Sequence, residues 1–275
     1  MKKKLNSILI IGGTGFIGFN VAKKLSEKYE VLSVSKKFPN KNRKVKKVKY
    51  FTCDISNRKK LEIFLNKREK YDYVLNLGGN VNHSNKQQTY KSHFIGSKNL
   101  AELLLKKNIK RFIQIGSSVE YGNHSSPHKE NLKLNMNNLK STYGISKFKA
   151  SKLLIKYFKD YKFPVVILRP YLIYGPFQDY NRIIPIIISS SLKNKRFPCS
   201  DGSQSRDFLF IDDFVNLIKK ILNKKKDNIN GQIFNVGTGK PLLIKVVIKT
   251  IVKKIKSGQP VFGKIKLRKD EILKM

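Results

Sequence analysis

Two side chains four positions apart could move a proton together. Tyr143 and Lys147 share one face if the segment around them is helical, because residues four apart are neighbours on an α-helix. A phenol titrates at about pH 10 in the unperturbed state, and a neighbouring positive charge lowers that value. A tyrosine tuned in this way could take the proton of a hydroxyl group while hydride leaves the same carbon. Taken alone, Tyr-x-x-x-Lys also fits a surface tyrosine beside a helical lysine.

A serine extends this pair. Ser117 follows Arg111-Phe112-Ile113-Gln114-Ile115, for which we predict a strand, and its hydroxyl could bond the reacting oxygen and orient it. Hydride chemistry also needs a cofactor, because no amino-acid side chain carries hydride. The chain must therefore supply a cofactor site together with the serine, tyrosine and lysine.

The N-terminal stretch predicts such a site. Residues 8–11 form an apolar, β-branched run that ends in the cluster Gly12-Gly13-Thr14-Gly15-Phe16-Ile17-Gly18, and a helical pattern follows. Glycines at 12, 15 and 18 let the backbone approach a pyrophosphate, toward which the N–H groups of a helix start can point. A tight turn in another kind of α/β protein would look similar, but strand–helix alternation continues behind this motif and favours dinucleotide binding.

That alternation predicts an α/β fold, a Rossmann doubly wound parallel sheet with a smaller, irregular C-terminal substrate domain. We expect strands near 29–35, 48–52, 73–79, 111–115, 164–168 and 232–236, and helices near 57–67, 87–107, 139–161 and 214–222, the last capped by Asp212-Asp213. We assign residues 1–175 to the dinucleotide-binding domain, to which about 207–237 return, and 176–275 mostly to a substrate-binding domain with a short C-terminus.

The end of the second predicted strand indicates the cofactor. Dinucleotide folds often carry an acidic residue there that bonds the ribose hydroxyls of NAD. This chain has Ser35-Lys36-Lys37 instead, which offers cations to a 2′-phosphate. We therefore expect NADP or NAD, with NADP favoured.

Charge raises a different hypothesis. The 275 residues include 58 basic and 18 acidic ones, a net charge of +40, which could indicate a nucleic-acid binder. Only nine of the basic residues are arginine, and the lysines are scattered along the chain, so a solvated lysine surface without a nucleic-acid partner is the simpler interpretation.

Compartment and metal content follow from a few residue types. The two cysteines lie far apart in the sequence, with no disulfide spacing, which indicates a reducing compartment. Met1-Lys2-Lys3-Lys4 and the apolar run behind it resemble a secretion signal, but the glycine cluster interrupts that run after a few residues. No apolar run approaches the roughly 18 residues of a membrane span, so we expect a cytoplasmic protein without membrane association. His83, His93, His124 and His128 show no metal-ligand spacing, and we expect surface or packing roles and no metal.

Taken together, these features resemble the extended short-chain dehydrogenase/reductase family, in its NAD-dependent epimerase/dehydratase group acting on nucleotide sugars. The resemblance rests on the glycine cluster, Asp54-Ile55, Ser117 with Tyr121-Gly122, Tyr143 with Lys147, Arg169-Pro170, Tyr174-Gly175-Pro176, Gly202-Ser203-Gln204-Ser205-Arg206-Asp207-Phe208 with Asp212-Asp213, and Phe234-Asn235-Val236-Gly237.

The resemblance implies roles for individual residues. Tyr143 would be the acid/base, Lys147 would tune it and bind the nicotinamide ribose, and Ser117 would position the substrate oxygen. Helices near 87–107 and 139–161 would pair across a two-fold axis in a homodimer. The cofactor would contact Gly12, Gly15, Phe16, Ile17, Gly18, Ser35, Lys36, Asp54, Ile55, Leu77, Gly78, Lys147 and Tyr171, and the nucleotide-diphosphate sugar Ser118, Glu120, Arg182 and Arg206.

Departures from the family pattern narrow the expected reaction. Leu77-Gly78-Gly79 stands where relatives usually have two alanines, and His93 stands where many have asparagine. The 4,6-dehydratases carry Asp-Glu after the catalytic residue, whereas Ser118-Val119 follows Ser117 here, in a pattern closer to 4-keto-6-deoxy-sugar reductases such as the CDP-abequose synthase type. We therefore expect hydride transfer at sugar C4 that reduces an NDP-4-keto-6-deoxyhexose for surface polysaccharide synthesis. A 4-epimerase is the alternative, and an RNA-binding, non-catalytic family member is the alternative from another class.

Overall fold

The computed structural model describes residues 5–80, 84–224, 229–267 and 271–274. Its strands are β1 (Ser7–Ile11), β2 (Glu30–Ser35), β3 (Val48–Thr52), β4 (Tyr73–Asn76), β5 (Arg111–Ile115), β6 (Val165–Pro170), β7 (Leu172–Tyr174), β8 (Arg196–Pro198), β9 (Ser205–Arg206), β10 (Phe208–Phe210), β11 (Ile233–Val236), β12 (Leu242–Leu243) and β13 (Gln259–Val261). Its α-helices are α1 (Phe16–Leu25), α2 (Arg58–Asn66), α3 (Lys86–Tyr90), α4 (Gly96–Leu104), α5 (Thr142–Tyr161), α6 (Ile183–Leu192), α7 (Ile211–Asn223) and α8 (Ile244–Ile255).

A seven-stranded sheet in the order β11-β6-β5-β4-β1-β2-β3 forms the centre, and every neighbouring pair in it is parallel. The direction of winding reverses between β1 and β4, and ligands of doubly wound sheets bind at the carboxyl ends of the strands beside such a reversal. The predicted Rossmann α/β fold is confirmed.

Both faces of the sheet are covered by helices, which explains the apolar runs in the sequence. All five residues of β1 are buried, as expected for a parallel strand packed on both sides. Ile8 and Ile10 pack on one face with Leu25 of α1, whereas Leu9 and Ile11 belong to the core on the other face. This alternation fixes the register of β1, because a slip by one residue would exchange the two faces.

Two helices differ from the sequence prediction. The predicted helix 87–107 consists of α3, a π-helical turn at Lys91–Ile95 and α4. The expected capping role of Asp212-Asp213 is wrong, because α7 begins at Ile211 and places both acids in its first turn. There they favour the helix through the positive end of its dipole.

After β6, most strands form small pairs outside the main sheet. Two-stranded pairs β7/β10, β9/β12 and β8/β13 lie here, and Ile187, Phe197 and Ile248 belong to a third apolar cluster around α6 and α8. Strand β11 returns to the main sheet beside β6. The division at residue 175 stays a prediction. Over the described ranges, none of the helices has the length and apolar character that crossing a membrane requires.

Candidate active site

The glycine cluster forms a tight turn between β1 and α1. Gly12 has φ +81°, and a Cβ on it would lie 2.6 Å from Cα of Gly78 at the end of β4. A Cβ on Gly18 would lie 2.1 Å from the carbonyl oxygen of Gly12, so this part of the turn has room only for glycine. The turn therefore brings α1 and the end of β4 against the carboxyl end of β1.

The start of α1 fits the pyrophosphate of a dinucleotide. Gly15 occupies the capping position without a side-chain hydrogen bond, and the first turn, which begins Phe16-Ile17, contains no acidic residue. A Cβ on Gly15 would meet only the Gly12 carbonyl oxygen, at 3.5 Å, so the space above the helix start is open. Backbone N–H groups and the helix dipole at such a position attract an anion.

The site that we expect for the adenosine half of the cofactor contains an ion pair that the sequence did not reveal. Nζ of Lys36 lies 2.8 Å from Oδ2 of Asp54, and the hydroxyl of Ser35 accepts a 3.4 Å hydrogen bond from the N–H of Thr14. Burial alone would raise the pKa of Asp54, but hydrogen bonds from Lys36 and Ser56 lower it below its ordinary value. Lys36 thus already neutralises an acid on the neighbouring loop.

Two further expected cofactor residues, Leu77 and Ile55, lie at the end of β4 and beside the start of α4. The N–H of Leu77 donates to the carbonyl oxygen of Ile11 at 3.0 Å, which holds the end of β4 beside the glycine turn. Ile55 is buried against Gly96, where an added Cβ would lie 2.6 Å from its Cγ1.

Ser117, Tyr143 and Lys147 meet at the carboxyl end of β5. Helix α5 begins just before Tyr143, with Ser141 accepting a 3.1 Å hydrogen bond from the N–H of Gly144. Nζ of Lys147 lies 5.8 Å from the centre of the Tyr143 ring and donates to the carbonyl oxygen of Ile115 at 2.7 Å. Ser117 follows β5 and shares a side-chain hydrogen bond with Tyr143.

Burial is the main influence on the pKa values of Tyr143 and Lys147. It raises the pKa of Tyr143 above the ordinary value, and the hydrogen bond with Ser117 and the charge of Arg182 offset this effect only in part. Burial therefore outweighs the lowering of that pKa that a neighbouring positive charge was expected to produce. Burial also lowers the pKa of Lys147, to about 8, although the Glu120 carboxylate opposes this change.

Glu120 lies inside the protein. One of its oxygens accepts a 2.8 Å hydrogen bond from the N–H of Ser117, and the other accepts a 3.0 Å bond from Nε of Arg169. Ser118 is buried in the same short turn, and the Arg169 guanidinium stacks over Tyr121 at 4.8 Å. The expectation that Glu120 contacts substrate does not fit a carboxylate enclosed in this way.

Tyr171 contacts His128, for which the sequence predicts a surface or packing role. Its hydroxyl lies 2.9 Å from Nδ1 of His128, whose ring stacks on Tyr121 at 4.3 Å. Burial raises the pKa of Tyr171 to about 12 and lowers the pKa of His128. The buried, stacked ring of His128 has the packing role expected of it. Arg169 was singled out only within the motif Arg169-Pro170, and its contact with Glu120 was not predicted.

The two expected diphosphate contacts lie in different surroundings. Arg182 directly precedes α6, and its charge reaches Tyr143. Arg206 in β9 forms an ion pair with Glu271 and donates to the carbonyl oxygen of Ser205 at 2.7 Å. Among described residues, no three histidines, cysteines or acids converge on a possible metal position, and His83 lies outside those residues.

A parallel, doubly wound sheet with this glycine turn defines a dinucleotide-binding Rossmann fold. Residues 8–237 match the model of the NAD dependent epimerase/dehydratase family, and the chain belongs to that family. The match agrees with the sequence resemblance to the extended short-chain dehydrogenase/reductase family.

Three relatives illustrate the range of that family. The chain is 31% identical over 258 residues to a dTDP-D-glucose 4,6-dehydratase of Dictyostelium discoideum, covering 85% of this chain and 58% of that protein. It is 34% identical over 124 residues to the CDP-abequose synthase of Salmonella muenchen, covering 45% and 41%. Both matches span less than two thirds of the relative's length. The structure of UDP-glucuronic acid 4-epimerase from Bacillus cereus, in complex with UDP-glucuronic acid and NAD, superposes with a TM-score of 0.82 at 27% identity, covering 93% and 85%.

Proposed function

We propose that this protein is an NAD(P)-dependent nucleotide-sugar 4-ketoreductase that favours NADPH and reduces an NDP-4-keto-6-deoxyhexose. The convergence of Ser117, Tyr143 and Lys147 beside the glycine turn carries this proposal. Similarity to the CDP-abequose synthase supports the reductase assignment. The Ser118-Val119 sequence supports it further, because it lacks the Asp-Glu pair of the 4,6-dehydratases that the family resemblance describes.

The protonation state of Tyr143 suits reduction. A raised pKa keeps the phenol protonated at neutral pH, which is the form that gives a proton to a ketone oxygen. When bound, NADPH supplies hydride to C4 of the sugar. Tyr143 gives its proton to the C4 oxygen, the product is the alcohol, and solvent returns a proton to the tyrosine.

Ser117 and Lys147 prepare that transfer. The Ser117 hydroxyl, already bonded to Tyr143, can also bond the C4 oxygen and hold it within reach of the phenol. Lys147, with a pKa of about 8, is mostly charged at neutral pH and stabilises the phenolate left after proton transfer.

Two arginines provide the proposed binding energy for the substrate diphosphate. Arg182 lies at the start of α6 on the side of Tyr143, which would place a phosphate near the reacting sugar. Arg206 would contribute by exchanging its ion pair with Glu271 for a phosphate oxygen.

The test is cofactor consumption during a single defined conversion. The purified protein should carry little bound dinucleotide and should oxidise one NADPH for each nucleotide-linked 4-keto-6-deoxyhexose reduced. A Tyr143→Phe variant is the matched control and should oxidise NADPH about 10²–10⁴-fold more slowly. If instead the protein purifies with tightly held NAD and interconverts C4 epimers without net consumption, it is a 4-epimerase and the reductase proposal is wrong.

A further inference from the structure

One imidazole connects the end of β4 with the proposed catalytic tyrosine. His93 lies in the π-helical turn between α3 and α4 and is 5% exposed. Its ring meets the Tyr143 ring edge to face, with 4.9 Å between ring centres and 79° between planes. Such edge-to-face geometry is a preferred arrangement of aromatic rings, so the imidazole restrains one side of the phenol.

A hydrogen bond fixes the other end of His93. Nε2 donates to the carbonyl oxygen of Asn80 at 3.1 Å, since a carbonyl oxygen can only accept. The neighbouring Ser92 accepts a 3.1 Å hydrogen bond from the N–H of Asn80. Two successive residues of the π-turn therefore hold one residue of the segment that follows β4.

Gly79 makes room for this imidazole. A Cβ on Gly79 would lie 1.9 Å from Cε1 of His93, 2.4 Å from Nδ1 and 2.8 Å from Nε2. All three nearest atoms belong to His93, and the backbone of Gly79 is not in the left-handed region that favours glycine. The ring of His93 therefore occupies the space that a side chain at position 79 would need.

We propose that His93 is a positioning residue that holds Tyr143 relative to the β4 end of the cofactor crevice, and that it requires glycine at position 79. The role rests on the proposed function, because it acts through Tyr143 on proton transfer. The π-turn supports it, since an extra residue in a helical turn redirects side chains and is often found at functional sites. A displacement of about 1 Å at a reacting group can cost about 100-fold in rate, so a restraint on the phenol has kinetic consequences.

A double-mutant cycle tests the proposal with wild type, Gly79→Ala, His93→Asn and the double variant. In the wild-type background Gly79→Ala should lower kcat at least about tenfold, because the new methyl group displaces the imidazole. In the His93→Asn background the same change should cost less than about twofold, because the smaller side chain leaves space. Thermal unfolding should show the same coupling without any substrate.

His93→Asn itself should lower kcat about tenfold while KM and the Kd for NADPH stay within about twofold, since only the phenol loses its restraint. His93→Phe keeps a ring against Tyr143 and should retain more of kcat than His93→Asn. Equal costs of Gly79→Ala in both backgrounds, or an unchanged kcat in His93→Asn, would overturn the inference. A wild-type protein without reductase activity would instead overturn the proposed function, and with it the positioning role.

Discussion

The carboxylate of Glu120 bonds the backbone N–H of Ser117 with one oxygen and the Nε of Arg169 with the other, at 2.8 and 3.0 Å. The side chain of Glu120 is 0% exposed and that of Arg169 4%. Arg169 therefore balances a buried charge that fixes the backbone of the proposed catalytic serine. The pair connects the end of β6 to the turn after β5.

Glu120→Gln should reduce the free energy of unfolding by about 3–5 kcal/mol, because it leaves the guanidinium buried without its partner charge. Urea denaturation at neutral pH measures the change. The double variant Glu120→Gln with Arg169→Met should recover most of the loss, since it removes both buried charges. A cost below about 1 kcal/mol for the single variant would show that Glu120 does not balance the buried charge of Arg169.

Tyr143→Phe should lower kcat by about 10²–10⁴-fold, because it removes the proton that reduction needs and keeps the ring. The Kd for NADPH, measured by fluorescence titration, should change little. Lys149→Met on the same helix is a suitable control, because its Nζ contacts the hydroxyl of Tyr90. A variant with more than about a tenth of the wild-type rate would show that another group donates the proton.

NADP(H) should bind more tightly than NAD(H), because Lys36 and Lys37 offer positive charge to a 2′-phosphate. Reversing both charges with Lys36→Glu and Lys37→Glu should reduce the preference at least about tenfold, as measured by the two dissociation constants. Lys41→Glu with Lys44→Glu provides the same change of charge in the loop that follows. Asp54→Asn should increase the preference for NADP over NAD, because it frees Lys36 from its 2.8 Å ion pair, whereas the loss of a contact between Asp54 and adenosine would affect both cofactors equally. Equal affinities in the wild type would contradict the prediction.

The buried Lys147 should make stability depend on alkaline pH. Its pKa is about 8 in the folded chain against 10.5 when unperturbed, so between these values the unfolded state binds more protons. Stability must therefore rise with pH across that window, and the charged lysine destabilises the fold below it. Relative to Lys147→Met, the wild type should gain about 3 kcal/mol in unfolding free energy as pH rises from 8 to 10.5. Urea denaturation of both proteins at the two pH values checks this, and a constant difference would refute it.

We predict a homodimer that pairs α5 and the α3–α4 segment across a two-fold axis as a four-helix bundle. Light scattering at about 20 μM protein should give twice the chain mass, in about 0.3 M salt that screens the net charge of +40. Phe148→Asp on α5 should give monomers, whereas the control Thr250→Asp, at an exposed position of α8, should leave the dimer intact. A wild-type monomer under these conditions would reject the prediction.

Much of the fold could be predicted because local pattern and burial agree. Strand β5 has the predicted bounds although it contains Arg111 and Gln114. The apolar run 8–11 lies within β1, since a parallel strand covered on both faces needs a continuous apolar run. The glycine cluster was equally informative, because Gly12 and Gly18 have no space for a Cβ. The long helix predicted at 87–107 is present as consecutive helical turns from Lys86 to Leu104, but nothing in its spacing signals the π-turn that carries His93.

The sequence by itself determined the strand–turn–helix at the N-terminus, the order of Ser117, Tyr143 and Lys147, and the family to which the chain belongs. Only the tertiary structure decided which charges those residues meet. Glu120 and Arg169 are 49 positions apart, and the imidazole of His93 reaches Gly79 and Tyr143 from a third element. The raised pKa of Tyr143 has the same origin: burial depends on what packs around a group, and those neighbours come from segments that no local pattern connects.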